Sequence, residues 1–204
     1  FKFNAWAKYD NHQDDDRVPK RVADALKMKR WKAEVERDGE RFDFVLEGGA
    51  IDVNGQGTLL TTEECLLSEV QARNPRLDRS GVERALKDHL GVRHVIWLNR
   101  GIVGDDTHGH VDDLARFVAP NKVVIVQEKD PADPNHDALA ENWDRLQDAR
   151  DQDGKPLEVI PLPMPRPVVF EGQRLPASYA NFYIANRRVI VPTFNDPADR
   201  VALN

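Results

Sequence analysis

Apolar positions along the chain fall into short alternating runs broken by Gly, Asn and Pro, and three of these runs share one shape. In Gly48–Thr61, apolar residues flank Asn54-Gly55, which signals a hairpin. In His110–Val126, the runs Leu114–Val118 and Val123–Val126 flank Pro120-Asn121-Lys122. In Tyr179–Pro192, Phe182-Tyr183-Ile184 and Val189-Ile190-Val191 flank Asn186-Arg187. Helical spacing follows the first two. Val82, Leu86 and Leu90 form a stripe behind Ser80-Gly81-Val82-Glu83, which has the capping-box pattern. Leu139, Trp143 and Leu146 form the second stripe. An apolar strand closes each unit, Val95–Leu98 and then Leu157–Leu162, and Asp196-Pro197-Ala198-Asp199 predicts the start of a third helix. Upstream, Val18–Val35 reads as an amphipathic helix with Val22, Leu26 and Ala33 on one side. Asp14-Asp15-Asp16 supply carboxylates for a helix N-terminus ahead of Pro19, and Phe42–Leu46 reads as a strand.

The unit is therefore hairpin, helix, strand. His110 follows Glu47 by 63 positions, and a similar step reaches the third hairpin near Ala177. A long period with one supersecondary unit per step predicts a radial or stacked α+β repeat. The 204 residues hold about two full units and pieces of two more, so a closed ring would need more chain. In a radial repeat, the starts of successive hairpins converge on the hub.

Composition narrows the function classes. Hydrophobic residues make up 40% and charged residues 31%, a globular profile. No apolar run has the length of a membrane span. Residues 1–16 end in aspartates and lack the apolar core of a secretory signal. The chain opens on Phe1, so the N-terminus is expected further upstream. A net charge of -6 weighs against nucleic acid. The one basic cluster, Lys27–Lys32, is broken by Met28 and Trp31 and reads as a solvated helix face. The single cysteine, Cys65, cannot form an internal disulfide, which fits a reducing cytoplasm. Acids beside it raise a thiol pKa, so Cys65 reads as a packing residue. Trp31, Trp97 and Trp143 lie on periodic apolar stretches and read as core, while Trp6 stays open.

Candidate chemistry concentrates in Gly104-Asp105-Asp106-Thr107-His108-Gly109-His110-Val111-Asp112-Asp113. A solvated acidic loop explains the aspartates but not two histidines around a glycine. If His110 opens a strand, Asp112 points to the same face. His108 and His110 with Asp112 or Asp113 then offer ligand types for zinc or iron, or His110 works beside Asp112 as an acid/base pair. Spacing alone leaves both readings open. Glu47, ahead of Gly48-Gly49, stands at the matching point of the preceding unit.

Phe3-Asn4-Ala5-Trp6-Ala7-Lys8-Tyr9, Glu47-Gly48-Gly49, Arg73-Asn74-Pro75, Asp106–Asp113 and Tyr179-Ala180-Asn181-Phe182-Tyr183 occur in this order. Together they resemble the family of agmatine deiminases and Porphyromonas-type peptidylarginine deiminases, across essentially all 204 residues. The resemblance implies a pentein, a fan of five hairpin-helix-strand units around a central pocket, of which this chain is an incomplete single domain. It implies hydrolysis of agmatine to N-carbamoylputrescine and ammonia through a cysteine-thiouronium intermediate, with free or peptidyl arginine as alternative substrates. His110 would be the general acid/base, Asp112 would hold guanidinium nitrogens, and Glu47 would orient His110 or stabilise charge. Asp106 and Trp6, inside matching motifs, join Asp112 as expected substrate-binding residues. No metal or cofactor is implied, because the nucleophile is covalent. The expected partner is a small cationic guanidine, with neither nucleic acid nor membrane, and homo-oligomer formation stays open. The family nucleophile and a second guanidinium-binding aspartate would lie outside residues 1–204. A His/Asp metallohydrolase and a non-catalytic pentein-like module are the competing classes.

Overall fold

The computed structural model describes residues 1–5 and 9–204. Helix α1 (Gln13–Ala25) comes first, with Asp14, Asp15 and Asp16 in its first turn, where carboxylates meet the positive end of the helix dipole. It begins earlier and ends sooner than the Val18–Val35 pattern predicts. Lys27 takes a left-handed φ of 53°, and the chain leaves the helix there. Pro19 lies inside the helix. Val18, Val22 and Leu26 are exposed, and Ala23 is the helix residue that is buried. Trp31 is 76% exposed beneath the Lys29 ammonium, so it is not core. The basic residues of 27–32 are solvated, but they lie beyond the helix rather than on its face.

Strands β1 (Glu34–Arg37) and β2 (Glu40–Asp43) pair as an antiparallel hairpin. The stretch expected as a strand over Phe42–Leu46 leaves regular pairing after Asp43, although Phe44 and Leu46 are buried. The first full unit then follows: β3 (Asp52–Val53), β4 (Thr58–Thr62), α2 (Glu63–Leu67), α3 (Arg79–Leu90) and β5 (His94–Leu98). β3 runs antiparallel to β4, and β5 runs parallel to it, with Thr58 opposite His94. The second unit repeats the order with β6 (Ala115–Ala119), β7 (Lys122–Gln127), α4 (His136–Asp148) and β8 (Glu158–Pro163). β7 pairs antiparallel with β6 and parallel with β8. Two hairpins, β9 (Val169–Phe170) with β10 (Gln173–Arg174) and β11 (Tyr183–Ala185) with β12 (Arg188–Ile190), precede α5 (Asp199–Ala202).

Local chemistry accounts for the boundaries. Asn54 Oδ1 accepts hydrogen bonds from the Gln56 and Thr58 amides, which closes the β3–β4 turn. The cap of α3 is Asp78 rather than Ser80: its Oδ1 accepts from the Gly81 amide at 2.9 Å. Ser80 already lies in the first turn. The Glu83 carboxylate is not part of a capping box and instead accepts from the Trp97 indole at 2.9 Å, which accounts for Trp97 being half-buried. Trp143 is likewise half-buried and packs on the second core.

Two apolar cores flank β4, and the second is shared by both units. Phe44, Leu59, Leu66, Val82 and Leu86 form one. Leu60, Leu98, Leu114, Ile125, Leu139 and Leu146 form the other. β4 separates them, because successive side chains point to opposite faces and send Leu59 to the first core and Leu60 to the second. Full burial of each such side chain stabilises the fold by about 1.5–3 kcal/mol. Polar stitches join the hairpins. Asp52 accepts from Arg116 Nε at 2.9 Å and from the Phe117 amide at 2.6 Å, and Arg116 donates onward to the carbonyls of Ala180 and Phe182. Consecutive hairpin starts are thereby held side by side. Among the described residues, no helix is long and apolar enough to cross a membrane.

Candidate active site

Glu47 and His110 each stand directly before a 3-10 turn, Gly48–Ala50 and Val111–Asp113, that leads into the first hairpin strand of a unit. His110 therefore does not open a strand as its spacing suggested; β6 begins at Ala115. The tight turn nonetheless brings Asp112 back beside the imidazole. A Cβ on Gly49 would collide with His110 Nδ1 and lie within 2.9 Å of both Asp112 carboxylate oxygens. Gly49 is thus the residue that lets the turn of one unit press against the turn of the next. The matching points meet: His110 Nε2 lies 2.6 Å from Glu47 Oε2.

Glu47 is held from three sides. Asn4 Nδ2 donates to Oε1 at 2.5 Å, and Arg73 donates through Nε and Nη2 at 2.8–3.1 Å. Burial alone would raise the Glu47 carboxyl. Hydrogen bonds from His110, Arg73 and Asn4, with the charge of Arg73, outweigh burial and pull the pKa down to about 2. An ionised carboxylate is an acceptor only, so the hydrogen of the His110 contact belongs to Nε2. Nδ1 is then the nitrogen left for chemistry, on the side of Gly49 and Asp112.

Asp112 is half-buried and has no ion-pair partner among the described residues. Burial raises its pKa, against the opposing charges of His110 and Arg116. A carboxylate left unpaired in this way suits a planar cation that donates two N–H bonds. Its neighbour Asp113 turns away: its carbonyl accepts from Ser178 Oγ at 2.7 Å, and its Oδ1 accepts from Asn181 Nδ2 at 2.9 Å.

The loop before His110 is organised by Asp105, which sequence reasoning did not single out. Its carboxylate accepts from the amides of Thr107, Gly109 and His110 at 2.8–3.1 Å. Asp-x-Thr, an aspartate two residues before a hydroxyl in a glycine-rich turn, was the available signal. Asp106, expected to bind substrate, is exposed and makes no side-chain hydrogen bond or ion pair among the described residues. Trp6 lies outside the described residues.

His108 takes a left-handed φ of 62° and lines a separate cavity of about 690 Å³ with Glu63, Glu64, Asn99 and Arg100. It does not join His110 and Asp112 in a ligand group. Among the described residues, the ligand-type atoms that converge are those of Glu47, Cys65 and His110, all within 4.8 Å of one another. Both Glu47 oxygens already carry Arg73. Burial, eased only partly by Arg73, pushes the Cys65 thiol up to about 12. The cluster is built as an ion pair over a neutral thiol.

Repeated hairpin-helix-strand units with a His–Glu pair at their junction define a pentein of the α+β class. The family model described as Porphyromonas-type peptidyl-arginine deiminase matches residues 1–204, and the chain belongs to that family. It is 38% identical over 223 residues to an agmatine deiminase of Ectopseudomonas mendocina, covering 98% of this chain and 58% of that protein. The solved agmatine deiminase of Enterococcus faecalis superposes with a TM-score of 0.85 at 37% identity, over 99% of this chain and 59% of that one. The C. jejuni agmatine deiminase solved with substrate bound gives a TM-score of 0.84 at 33% identity, over 98% and 55%. The chain thus spans less than two thirds of these relatives.

Proposed function

We propose that this chain carries the acid/base and substrate-holding part of a guanidine deiminase that converts agmatine and water to N-carbamoylputrescine and ammonia. One observation carries the reading: Nε2 of His110 is tied at 2.6 Å to an ionised Glu47, while Nδ1 and Asp112 share the space that Gly49 leaves open. The relatives named agmatine deiminase support the choice of substrate. Asp112 accepts two N–H bonds from the guanidinium and fixes its plane. A cysteine supplied from outside residues 1–204 passes its thiol proton to His110 Nδ1, and the thiolate adds to the guanidinium carbon. His110 Nδ1 gives a proton to the departing nitrogen, the C–N bond breaks, and ammonia leaves a thiouronium. The same Nδ1 then takes a proton from the attacking water. Collapse of that adduct breaks the C–S bond, releases its hydroxyl proton to solvent, and frees the carbamoyl product and the thiolate. Cys65 does not fill the nucleophile's place, because it is fully buried with its thiol pushed up to about 12. A lone cysteine within residues 1–204 is in keeping with a cytoplasmic setting.

The test is ammonia release by the intact protein from agmatine, free arginine and a peptidyl arginine. Agmatine is expected to be turned over fastest, and His110→Ala to lose about 10²- to 10⁴-fold. A His110→Ala variant within about tenfold of wild type contradicts the assignment. Preference for peptidyl arginine would move the substrate to that class.

A further inference from the structure

We propose that Arg73 is a positioning residue that locks the Glu47–His110 pair into one tautomer, leaving His110 Nδ1 free for the reaction; this rests on the acid/base role given to His110 above. The side chain of Arg73 is 3% exposed, yet its guanidinium bridges two segments distant in sequence. Nε and Nη2 fork onto the Glu47 carboxylate. Nη2 also donates to the Thr107 carbonyl, inside the loop that carries His110. Nη1 reaches the carbonyls of Gln71 at 3.1 Å and Cys65 at 3.4 Å, so the head group is anchored as well as charged. The next residue completes the grip: Asn74 Oδ1 accepts from the Val45 amide at 2.9 Å, and its Nδ2 donates to the Val45 carbonyl at 2.8 Å. Consecutive side chains thus clamp the backbone two residues before Glu47 and the Glu47 side chain itself.

The consequence follows from proton accounting. A carboxylate held by a guanidinium fork is a pure acceptor, and it fixes the hydrogen of the 2.6 Å contact on Nε2. Without the fork, burial favours the neutral carboxyl, as its opposing direction at Glu47 shows. The proton of the contact is then drawn to Glu47, and the imidazole hydrogen shifts to Nδ1, where it blocks the base. Asp105, Asp112 and Arg116 also act on this neighbourhood, but none of them hydrogen-bonds Glu47. The Arg73 head group is spent on Glu47 and three backbone carbonyls, so its removal is expected in kcat rather than in KM.

The experiment uses Arg73→Met and Arg73→Lys in the intact protein. Nitrogen-15 NMR of the histidine rings, assigned with His110→Gln, reads the tautomer. Steady-state ammonia release reads kcat and KM. Wild type is expected to show the Nε2–H form. Arg73→Met is expected to populate Nδ1–H and to lose about 100-fold in kcat, with KM changed less than about threefold. Arg73→Lys keeps the charge but not the fork; it should retain the Nε2–H form and lose about tenfold in kcat. A folded Arg73→Met with the wild-type tautomer and kcat overturns the proposal. If Arg73→Met does not fold, unchanged kcat in Arg73→Lys overturns it. Failure of the deiminase reading looks different: wild type would then release no ammonia, while the tautomer would still shift in Arg73→Met.

Discussion

The first and second units share one topology, a hairpin followed by a helix and a parallel strand, but they put opposite chemistry at the same point of the backbone. Where the first has a carboxylate followed by two glycines, the second has an imidazole followed by Val111 and two carboxylates. The first unit's turn is stripped of side chains, and the second unit's turn fills the space. Neither unit holds the carboxylate–imidazole contact alone; it exists because the repeat places equivalent positions against each other. The lesson is that the repeat supplies position and the departures from the repeat supply function.

Four substitutions test that contrast, with Gly48→Ala as the control for the first, from the largest effect to the smallest. Gly49→Ala should be the most damaging, because a Cβ there meets His110 Nδ1 and Asp112, whereas Gly48 has nothing within 4 Å of its Cβ position. Gly49→Ala is expected to lose about 100-fold in ammonia release, while Gly48→Ala stays within about twofold by the same assay, as the open space around it implies. Equal losses would break the argument that one glycine is reserved for the neighbouring unit. Asp113→Asn should act on stability. Burial, with the charges of Asp112 and Asp105, raises the Asp113 carboxyl from 3.8 to about 7, against the hydrogen bond from Asn181. The folded state then binds the extra proton between those values, so stability falls as pH rises through that window. The amide removes this loss. Denaturant melts should show Asp113→Asn gaining about 1–2 kcal/mol over wild type at pH 8, with the gain vanishing toward pH 4. A pH-independent difference would mean that Asp113 is ionised throughout. Cys65→Ser should cost about 1–2 kcal/mol by burying a hydroxyl in place of a thiol, with turnover retained. A well-folded but inactive variant would place the nucleophile at Cys65 after all.

Much of this was legible in the sequence, for physical reasons. Hairpins around Asn54-Gly55 and Pro120-Asn121-Lys122, and the helices behind them, were readable because local turn chemistry and apolar spacing agree with the tertiary packing. The convergence of Glu47 and His110 was readable from their matching repeat positions. The errors lie where one signal stood alone. Val22 and Leu26 have helical spacing, but in α1 they face solvent, and Trp31 lies beyond the helix. Ser80 and Glu83 have capping-box spacing, yet Asp78 reaches the free amide first, and the Trp97 indole claims Glu83. Arg73 could not be assigned a task from sequence, since its partners lie 26 and 34 positions away. Asp105 was passed over for Asp106 because neighbouring aspartates look alike until backbone amides choose between them.

The contact between Glu47 and His110 also joins the edges of the two apolar cores, since Leu46 and Ala50 belong to one and Val111 to the other. Because β4 and β5 lend Leu60, Ile96 and Leu98 to the core of the second unit, neither unit can rock against the other without disturbing that shared core. Turnover should therefore fall together with the fold, rather than ahead of it, when a seam is loosened, as by loss of the Asp52–Arg116 bridge.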